Sequence, residues 1–224
     1  MGRQRAPIAL AMLMSWCIPA LATPAASQTP LEDLLDRVQA RYSGAVGISA
    51  RFEQHQEVRA GAAPMLGLGA LYLRSPGNLR VEYQETGRVF VADGEQIYWY
   101  LPADRQVHVR SQNSMSQQGY ALFYLSGQGD MGDDFTVQGV EWRTRLRPDS
   151  IQMRLEPRLP GADYAYLMLE VDPETALVLR LVSFGVFGDA TEWRFFEIET
   201  DTDLADELFQ FNIPAGVSVE TLGD

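Results

Sequence analysis

The side chains behind most nucleophilic and acid–base catalysis are scarce in this chain of 224 residues. It has no lysine, its one cysteine is Cys17, and its two histidines are His55 and His108. Schiff-base catalysis, phosphate binding by a P-loop and thiol catalysis each require a lysine or a cysteine at the site. Because Cys17 falls in a leader segment described below, these three kinds of chemistry are excluded for the remainder of the chain.

The histidines form no pattern that would bind a metal ion. His55 and His108 are far apart in sequence, each lies in a strand pattern, and no H-E-x-x-H spacing is present. The acidic segment from Asp130 to Asp134 lacks the regular ligand spacing of an EF-hand calcium loop. We therefore expect no metal site and no cofactor.

Carboxylates are the one abundant type of catalytic side chain, with 30 Asp and Glu residues. A glycoside-type hydrolase needs only two carboxylates at the correct separation, and that separation is a three-dimensional quantity. No G-x-S-x-G motif indicates an α/β-hydrolase. A hydrolase with paired carboxylates stays open as the enzymatic alternative, although no catalytic residue is assigned and a non-enzymatic role is favoured.

The net charge argues against polyanionic partners. It is −12 at pH 7, and all 18 basic residues are arginine. A field of this sign repels nucleic acid and anionic membrane surfaces, so neither is expected as a partner. The acidic, lysine-free composition is consistent with adaptation to high salt or with a GC-rich genome, and the sequence does not decide between them.

The first residues have the features of a secretory signal peptide. Arg3 and Arg5 precede an apolar run and then the small-residue pattern Ala20-Leu21-Ala22. We predict cleavage after residue 22, with residue 27 as an alternative end, and a mature chain of one domain, residues 23–224. Trp16 before Cys17 is larger than the residue that precedes a lipid-attachment cysteine. The mature protein is thus expected to be periplasmic, unanchored and monomeric.

Periodicity predicts an α+β domain. Thr29, Pro30 and Glu32 form a capping box, and an apolar stripe at helical spacing follows, so a helix begins there. About ten or eleven antiparallel strands come next, with one or two short helices near residues 115–125. Three late elements are also predicted: a strand from Phe135 to Leu146, a helix capped by Asp203, and a closing strand from Phe209 to Val219.

Aromatic residues are concentrated between Tyr72 and Tyr100, and in the last strand of this region they occur on both faces. Such a sheet has more large apolar side chains than one amphipathic helix could cover. Two interpretations remain open on the residues alone: a thick packed core, or a curved sheet whose concave face encloses an apolar pocket.

Several short motifs, in order, resemble those of the LolA family of periplasmic outer-membrane lipoprotein carriers. They are "LLDRV", the F-x-Q of Phe52 and Gln54, "GALYLRSPG" with "RVEY", "VADG" with "IYWYLP", "RQV", and the terminal "FQFNIPAGV". The resemblance covers nearly the whole mature chain. It implies an open, incomplete antiparallel β-barrel of about 11 strands covered by a lid of about three helices.

The same resemblance implies a function and partners. The carrier would take the acyl chains of outer-membrane lipoproteins from an inner-membrane lipoprotein-releasing ABC transporter, hold them in a hydrophobic cavity, and pass the cargo to an outer-membrane lipoprotein receptor. A periplasmic lipid-binding or sensing protein of the same fold is the alternative, because fold alone does not define cargo.

Site residues follow from the resemblance position by position. The residues that it implies for the cavity and lid are Leu35, Val38, Leu79, Val81, Phe90 and Tyr98, although spacing leaves open which strand face points inward. The family often carries a lid-latching arginine immediately before the proline of the turn between the second and third strands, where this chain has Ser75. The latch candidates are therefore Arg74, Ser75 and Arg80.

Overall fold

The computed structural model describes residues 29–57, 65–115, 121–159 and 164–222. The predicted signal peptide (residues 1–22, or to residue 27) and Cys17 lie outside these ranges. Within them, no helix has both the length and the apolar character needed to cross a membrane.

The first helix begins where the capping box predicts. The helices are α1 (Pro30–Gly44), α2 (Gln112–Met115), α3 (Leu122–Leu125) and α4 (Met131–Asp134), with 3₁₀ turns at Pro102–Asp104 and Asp206–Phe209. At the start of α1, the Glu32 amide donates to Thr29 Oγ1 over 3.3 Å, and the Thr29 amide donates to Glu32 Oε2 over 2.7 Å. These two bonds satisfy amides that have no partner within the helix.

Twelve strands in the described residues form one sheet that does not close on itself. They are β1 (Ile48–Glu57), β2 (Met65–Arg74), β3 (Asn78–Tyr83), β4 (Val89–Asp93), β5 (Gln96–Leu101), β6 (Gln106–Ser111), β7 (Phe135–Gly139), β8 (Ile151–Pro157), β9 (Tyr164–Val171), β10 (Val178–Gly185), β11 (Ala190–Thr200) and β12 (Ser218–Thr221). Their order is β12-β6-β5-β4-β3-β2-β1-β11-β10-β9-β8-β7. The α+β open barrel with a helical cover is confirmed, with twelve strands instead of about 11.

The chain departs from the predicted strands at its end. The closing strand is Ser218–Thr221 only, and it pairs in parallel with β6. The preceding helix is a 3₁₀ turn that starts after Ala205, so the prediction that Asp203 caps it is wrong. This segment instead lies along the outer face of the sheet, where Phe209 is buried and Phe211 stacks on Tyr98. Contacts with that face outweigh the period-two pattern of the segment itself.

The predicted strand from Phe135 to Leu146 is also shorter than expected, because β7 ends at Gly139. The residues that follow cross the outer face of β8–β11 instead of continuing the strand. The amides of Trp142 and Arg143 donate to Gln152 Oε1 on β8, over 2.9 and 3.3 Å. A buried side-chain acceptor thus replaces the ladder partner that a longer strand would have used.

The concave face of the sheet and the helices enclose the main hydrophobic core. Leu34, Leu35, Val38 and Tyr42 project from α1 into this core and are almost fully buried. A smaller apolar cluster around Met168 and Val182 lies on the outer face of β9 and β10. The sheet therefore carries apolar side chains on both faces, and its interior is covered by α1 and α3.

Candidate functional site: an apolar cavity under α3

Strand register determines which residues face inward on β3, β4 and β5. Val81 pairs with Phe90, and Phe90 pairs with Trp99, so these three side chains lie on one face of three neighbouring strands. Leu79 lies two residues before Val81 on the same face. Leu79, Val81 and Phe90 belong to the core around the helices and Trp99 packs against it, so this is the concave face.

A cavity of about 460 Å³ lies between this face and α3. Its lining residues are Gln54, Gln56, Leu79, Val81, Tyr83, Arg88, Phe90, Trp99, Ala121, Leu122, Tyr164, Ser183, Gly185, Asp189, Thr191 and Trp193. A volume of this size is within the range of about 300–1,000 Å³ that is usual for sites of small organic ligands. The site can therefore hold an elongated apolar group against Leu79, Val81 and Phe90.

Leu35 and Val38 lie elsewhere in the interior. They are 2% and 0% exposed in the packed core, and neither contributes to the cavity lining. Their helix is also held by polar contacts, because the Val178 amide donates to the Tyr42 hydroxyl oxygen over 3.1 Å. Burial raises the pKa of Tyr42 to about 12. The structure therefore separates the two α1 residues from Leu79, Val81 and Phe90, three of the four strand residues that the resemblance grouped with them.

Tyr98 is on the opposite face of the sheet. Its neighbour Trp99 lines the cavity, whereas Tyr98 stacks on Phe211 of the C-terminal segment with ring centroids 5.6 Å apart. Successive residues of a strand alternate between faces, so only one of this pair can point inward. The inward aromatic residue of β5 is Trp99, and Tyr98 is not part of the cavity.

The two arginines suggested as latches contact the C-terminal segment instead of the lid. Arg74 donates to the Leu204 carbonyl over 3.2 Å, pairs with Asp206, and lies 4.7 Å from the centre of the Phe209 ring. Arg80 donates to the Leu208 carbonyl over 3.0 Å. Both side chains therefore hold residues 204–209 against the outer face.

The turn between β2 and β3 does contact the helical cover. The Gly77 amide donates to the Ser126 carbonyl at the end of α3, over 2.9 Å. Ser75 also lies beside this segment, since a Cβ on Gly127 would come within 2.5 Å of Ser75 Oγ. Of the three latch candidates, Ser75 is the one placed at the lid.

Gln112, which the sequence analysis missed, connects this turn to the lid and to the next turn. Its amide nitrogen donates to the Gly77 carbonyl over 2.8 Å and to Gln128 Oε1 over 3.0 Å, and its oxygen accepts from the Gly94 amide over 3.0 Å. The side chain is 1% exposed. Gly77 has a φ of 75°, and a Cβ there would lie 2.7 Å from the Gln112 amide nitrogen.

A second polar contact joins α3 to α4 and β9. The Tyr124 hydroxyl donates to Asp134 Oδ2 over 3.0 Å, and the Tyr164 hydroxyl lies 3.5 Å from that of Tyr124. Burial, followed by the hydrogen bond with Tyr164, raises the pKa of Tyr124. Because Tyr164 also lines the cavity, this contact links the cavity wall to the outer side of the lid.

The described residues offer little for metal-dependent chemistry. No group of three His, Cys, Asp or Glu residues in residues 29–57, 65–115, 121–159 and 164–222 is arranged to hold a metal ion. His55 lies 2.9 Å from Glu53, and His108 lies 3.4 Å from Glu220, so each histidine has one neighbouring carboxylate.

Known proteins are similar to this chain in sequence. The family described as "Outer membrane lipoprotein carrier protein LolA" matches residues 43–212. An outer-membrane lipoprotein carrier protein of Dechloromonas aromatica is 29% identical over 181 residues, 77% of this chain and 80% of the relative. One from Bordetella bronchiseptica is 28% identical over 217 residues, 96% and 97% of the two chains.

A solved structure adds a likeness of fold. The crystal structure of an uncharacterised conserved protein from Thermus thermophilus has a TM-score of 0.54 at 17% identity, covering 87% of this chain and all of that one. The family match extends from the end of α1 through all the strands that enclose the cavity. The chain therefore belongs to the LolA family of outer membrane lipoprotein carrier proteins.

Proposed function

We propose that this protein is a periplasmic chaperone that binds the acyl chains of lipoproteins in the cavity between the sheet and α3. The observation that carries the proposal is the apolar wall formed by Leu79, Val81 and Phe90 beneath Leu122 of α3. Each methylene transferred from water to such a wall contributes about 0.8 kcal/mol, so one long acyl chain contributes on the order of 10 kcal/mol before costs. No catalytic residue is required.

Release is the more demanding part of this task. Leu122 and Phe123 of α3 are buried among the same side chains that an acyl chain would contact. Closing the lid therefore competes with cargo for apolar surface and lowers the net affinity. A receptor with a more favourable pocket could then remove the cargo.

We propose Ser75, Gly77 and Gln112 as the latch that holds α3 in the closed position. Support comes from the bonds of the Gly77 amide to Ser126 and of Gln112, the first residue of α2, to Gln128, both of which hold the end of α3. Arg74 and Arg80 are left out of the latch because they contact the C-terminal segment. Neutral hydrogen bonds of this kind contribute about 1 kcal/mol each, which acyl-chain binding can overcome.

The proposed partners are an inner-membrane lipoprotein-releasing ABC transporter and an outer-membrane lipoprotein receptor. Family membership supports lipoprotein cargo, and the signal peptide predicted at residues 1–22 is consistent with action in the periplasm between these two partners. The strong negative charge disfavours direct adsorption to anionic membranes. Transfer would then depend on contact with partner proteins at each end of the route.

The paired-carboxylate alternative has less support in the site. Asp189 is the one carboxylate among the described residues that line the cavity. The buried Glu170 and Glu192 lie on the outer face, on either side of Arg180, at 3.1 and 3.2 Å from its nitrogens. Two carboxylates bound to one arginine are poor candidates for an acid and nucleophile pair.

Purification from the periplasm of the producing bacterium tests the proposal. We expect acylated polypeptides to co-purify, and we expect added protein to release lipoproteins from spheroplasts into the soluble fraction. Free phospholipid alone in the purified protein would favour the lipid-binding alternative. A protein that carries no lipid and releases no lipoprotein would contradict the proposal.

A further inference from the structure

The cavity wall changes from apolar to polar toward the rim on three neighbouring strands. The inward-facing residues, in order toward the rim, are Phe52, Gln54 and Gln56 on β1, Phe195, Trp193 and Thr191 on β11, and Leu181 and Ser183 on β10. The registers pair Phe52 with Phe195 at the deepest level, and Trp193 with Gln54 and Leu181 at the next level. Gln54 is the one polar residue of this set at the middle level, and all three residues at the rim level are polar.

At the rim level the three polar residues lie side by side. Thr191 pairs with Gln56 on one neighbouring strand and with Ser183 on the other. Adjacent strands are about 4.8 Å apart, so the three side chains form a continuous row, here called the polar row. All three line the cavity and are partly exposed. The row offers hydroxyl and amide groups that donate and accept hydrogen bonds but carry no charge.

The charged groups in the cavity lining are nearly balanced. Arg88 is on the opposite wall, where its guanidinium lies 4.3 Å from the centre of the Tyr83 ring and its Nε donates to Thr86 over 3.0 Å. Asp189 is in the β10–β11 turn beside the polar row. A phosphate placed at the row would meet the Asp189 carboxylate, and one arginine already stacked on a ring would have to offset this repulsion.

We propose that the polar row is a head-group subsite for uncharged ester and amide groups, and that Asp189 disfavours phosphate heads there. The inference rests on the proposed function, because it assumes that acyl chains occupy the apolar part of the cavity. The ligand chemistry that fits is the neutral S-glyceryl-cysteine head of an acylated polypeptide, whose ester carbonyls and amides can bond to Thr191, Ser183 and Gln56. The subsite would thus select lipoproteins over phospholipids with the same chains.

Two ligands with two palmitoyl chains each test the subsite: an N-acetyl-S-(dipalmitoylglyceryl)-cysteine peptide and dipalmitoyl phosphatidylglycerol. We expect the wild-type protein to bind the peptide more tightly. Thr191→Val, which replaces the hydroxyl with a methyl group, should weaken peptide binding about five- to tenfold, as expected for one lost hydrogen bond. Thr191→Ser should restore the affinity, and Thr136→Val on the exposed edge strand β7 is the matched control.

Asp189→Asn tests the charge. It should narrow the preference for the peptide over phosphatidylglycerol by increasing affinity for the phospholipid. Unchanged peptide binding in Thr191→Val, an equal loss in Thr136→Val, or an unchanged preference in Asp189→Asn would each overturn the subsite while leaving the carrier function intact. A wild-type protein that binds neither ligand would overturn the carrier function and the subsite together.

Discussion

The interior of the barrel has two halves that are covered in different ways. Beneath α1, the side chains of Tyr42 and Leu71, together with Leu125 at the end of α3, leave a void of only about 10 Å³. Beneath α3, a cavity of about 460 Å³ remains. The helix over the first half has 15 residues, whereas the helix over the second has four. A long helix fills its half, and a short one leaves space for a ligand.

The two helices are also held to the sheet by different contacts. Besides its buried stripe, α1 is tied to the β9–β10 turn by Arg37, which donates to the carbonyls of Pro173 and Glu174, and to β11 by Arg41, which donates to Thr200. The end of α3 is held by Gly77 of the β2–β3 turn and by Gln112 at the start of α2, and Tyr124 of α3 lies beside Tyr164 of β9. We infer that α1 is a fixed part of the interior and that opening involves α3.

The largest expected effect is a loss of stability from a substitution in the half of the interior beneath α1, here called the packed half. Leu35→Ala removes a side chain that is 2% exposed, so it should lower the free energy of unfolding by about 2–5 kcal/mol, measured by chemical denaturation. Leu31→Ala, at a partly exposed position of the same helix, is the control and should cost less. Acyl-chain affinity of the folded fraction should not change; a selective loss of affinity would mean that Leu35 contacts cargo.

Alkaline pH should also act on the packed half. Because the folded-state pKa of Tyr42 is about 12, against an ordinary value of 10.0, its stabilising effect is complete below pH 10 and is lost between pH 10 and 12. The part of the loss that is due to Tyr42 should reach about 2–3 kcal/mol at pH 12. Tyr42→Phe should show a correspondingly shallower decline in denaturation midpoint over this interval, and a parallel decline would contradict the assignment.

A smaller and more local loss of stability is expected in the half of the interior beneath α3. Gln112→Glu keeps the shape of the side chain but replaces its NH₂ donor, so the carbonyl of Gly77 loses a partner. The cost should be about 1–3 kcal/mol. Hydrogen exchange should accelerate at Gly77 and in residues 121–128 but not in α1. Gln138→Glu on exposed β7 is the control, and faster exchange throughout α1 would break the distinction between the halves.

The smallest effect is expected outside both halves. Arg74→Ala removes a partly exposed ion pair with Asp206 and should change global stability by at most about 1 kcal/mol. Hydrogen exchange should increase in residues 204–209, which this side chain holds, and not in residues 121–128. If exchange increased at α3 instead, Arg74 would be a lid latch after all.

Sequence patterns were most informative where local chemistry decides the structure. The capping box at Thr29 and Glu32 marks the start of α1 because both of its bonds form within one turn. The inward face of β5 was not predictable, since Tyr98 and Trp99 are both aromatic and only the pairing of Trp99 with Phe90 distinguishes them. Period two identifies a strand but not the face that meets the core.

Polar contacts between residues distant in sequence could not be predicted either. Gln112 follows a strand like many exposed glutamines, and its burial depends on Gly77, Gly94 and Gln128, which are distant in sequence. Arg74 precedes the turn where the family often has an arginine, but one position earlier, so it faces the C-terminal segment. A shift of one residue along a strand reverses the face on which a side chain lies.

Tryptophan fluorescence tests the binding of acyl chains in the cavity most directly. Without residues 1–22 the chain has three tryptophans: Trp99 and Trp193 line the cavity, whereas Trp142 packs on Phe184 on the outer face. A triacylated cysteine peptide with brominated acyl chains should quench the Trp142→Phe variant strongly, and its unbrominated form should not. The brominated peptide should leave the fluorescence of the double variant Trp99→Phe/Trp193→Phe unquenched. Binding with quenching confined to Trp142, or with no quenching in either variant, would contradict binding in the cavity.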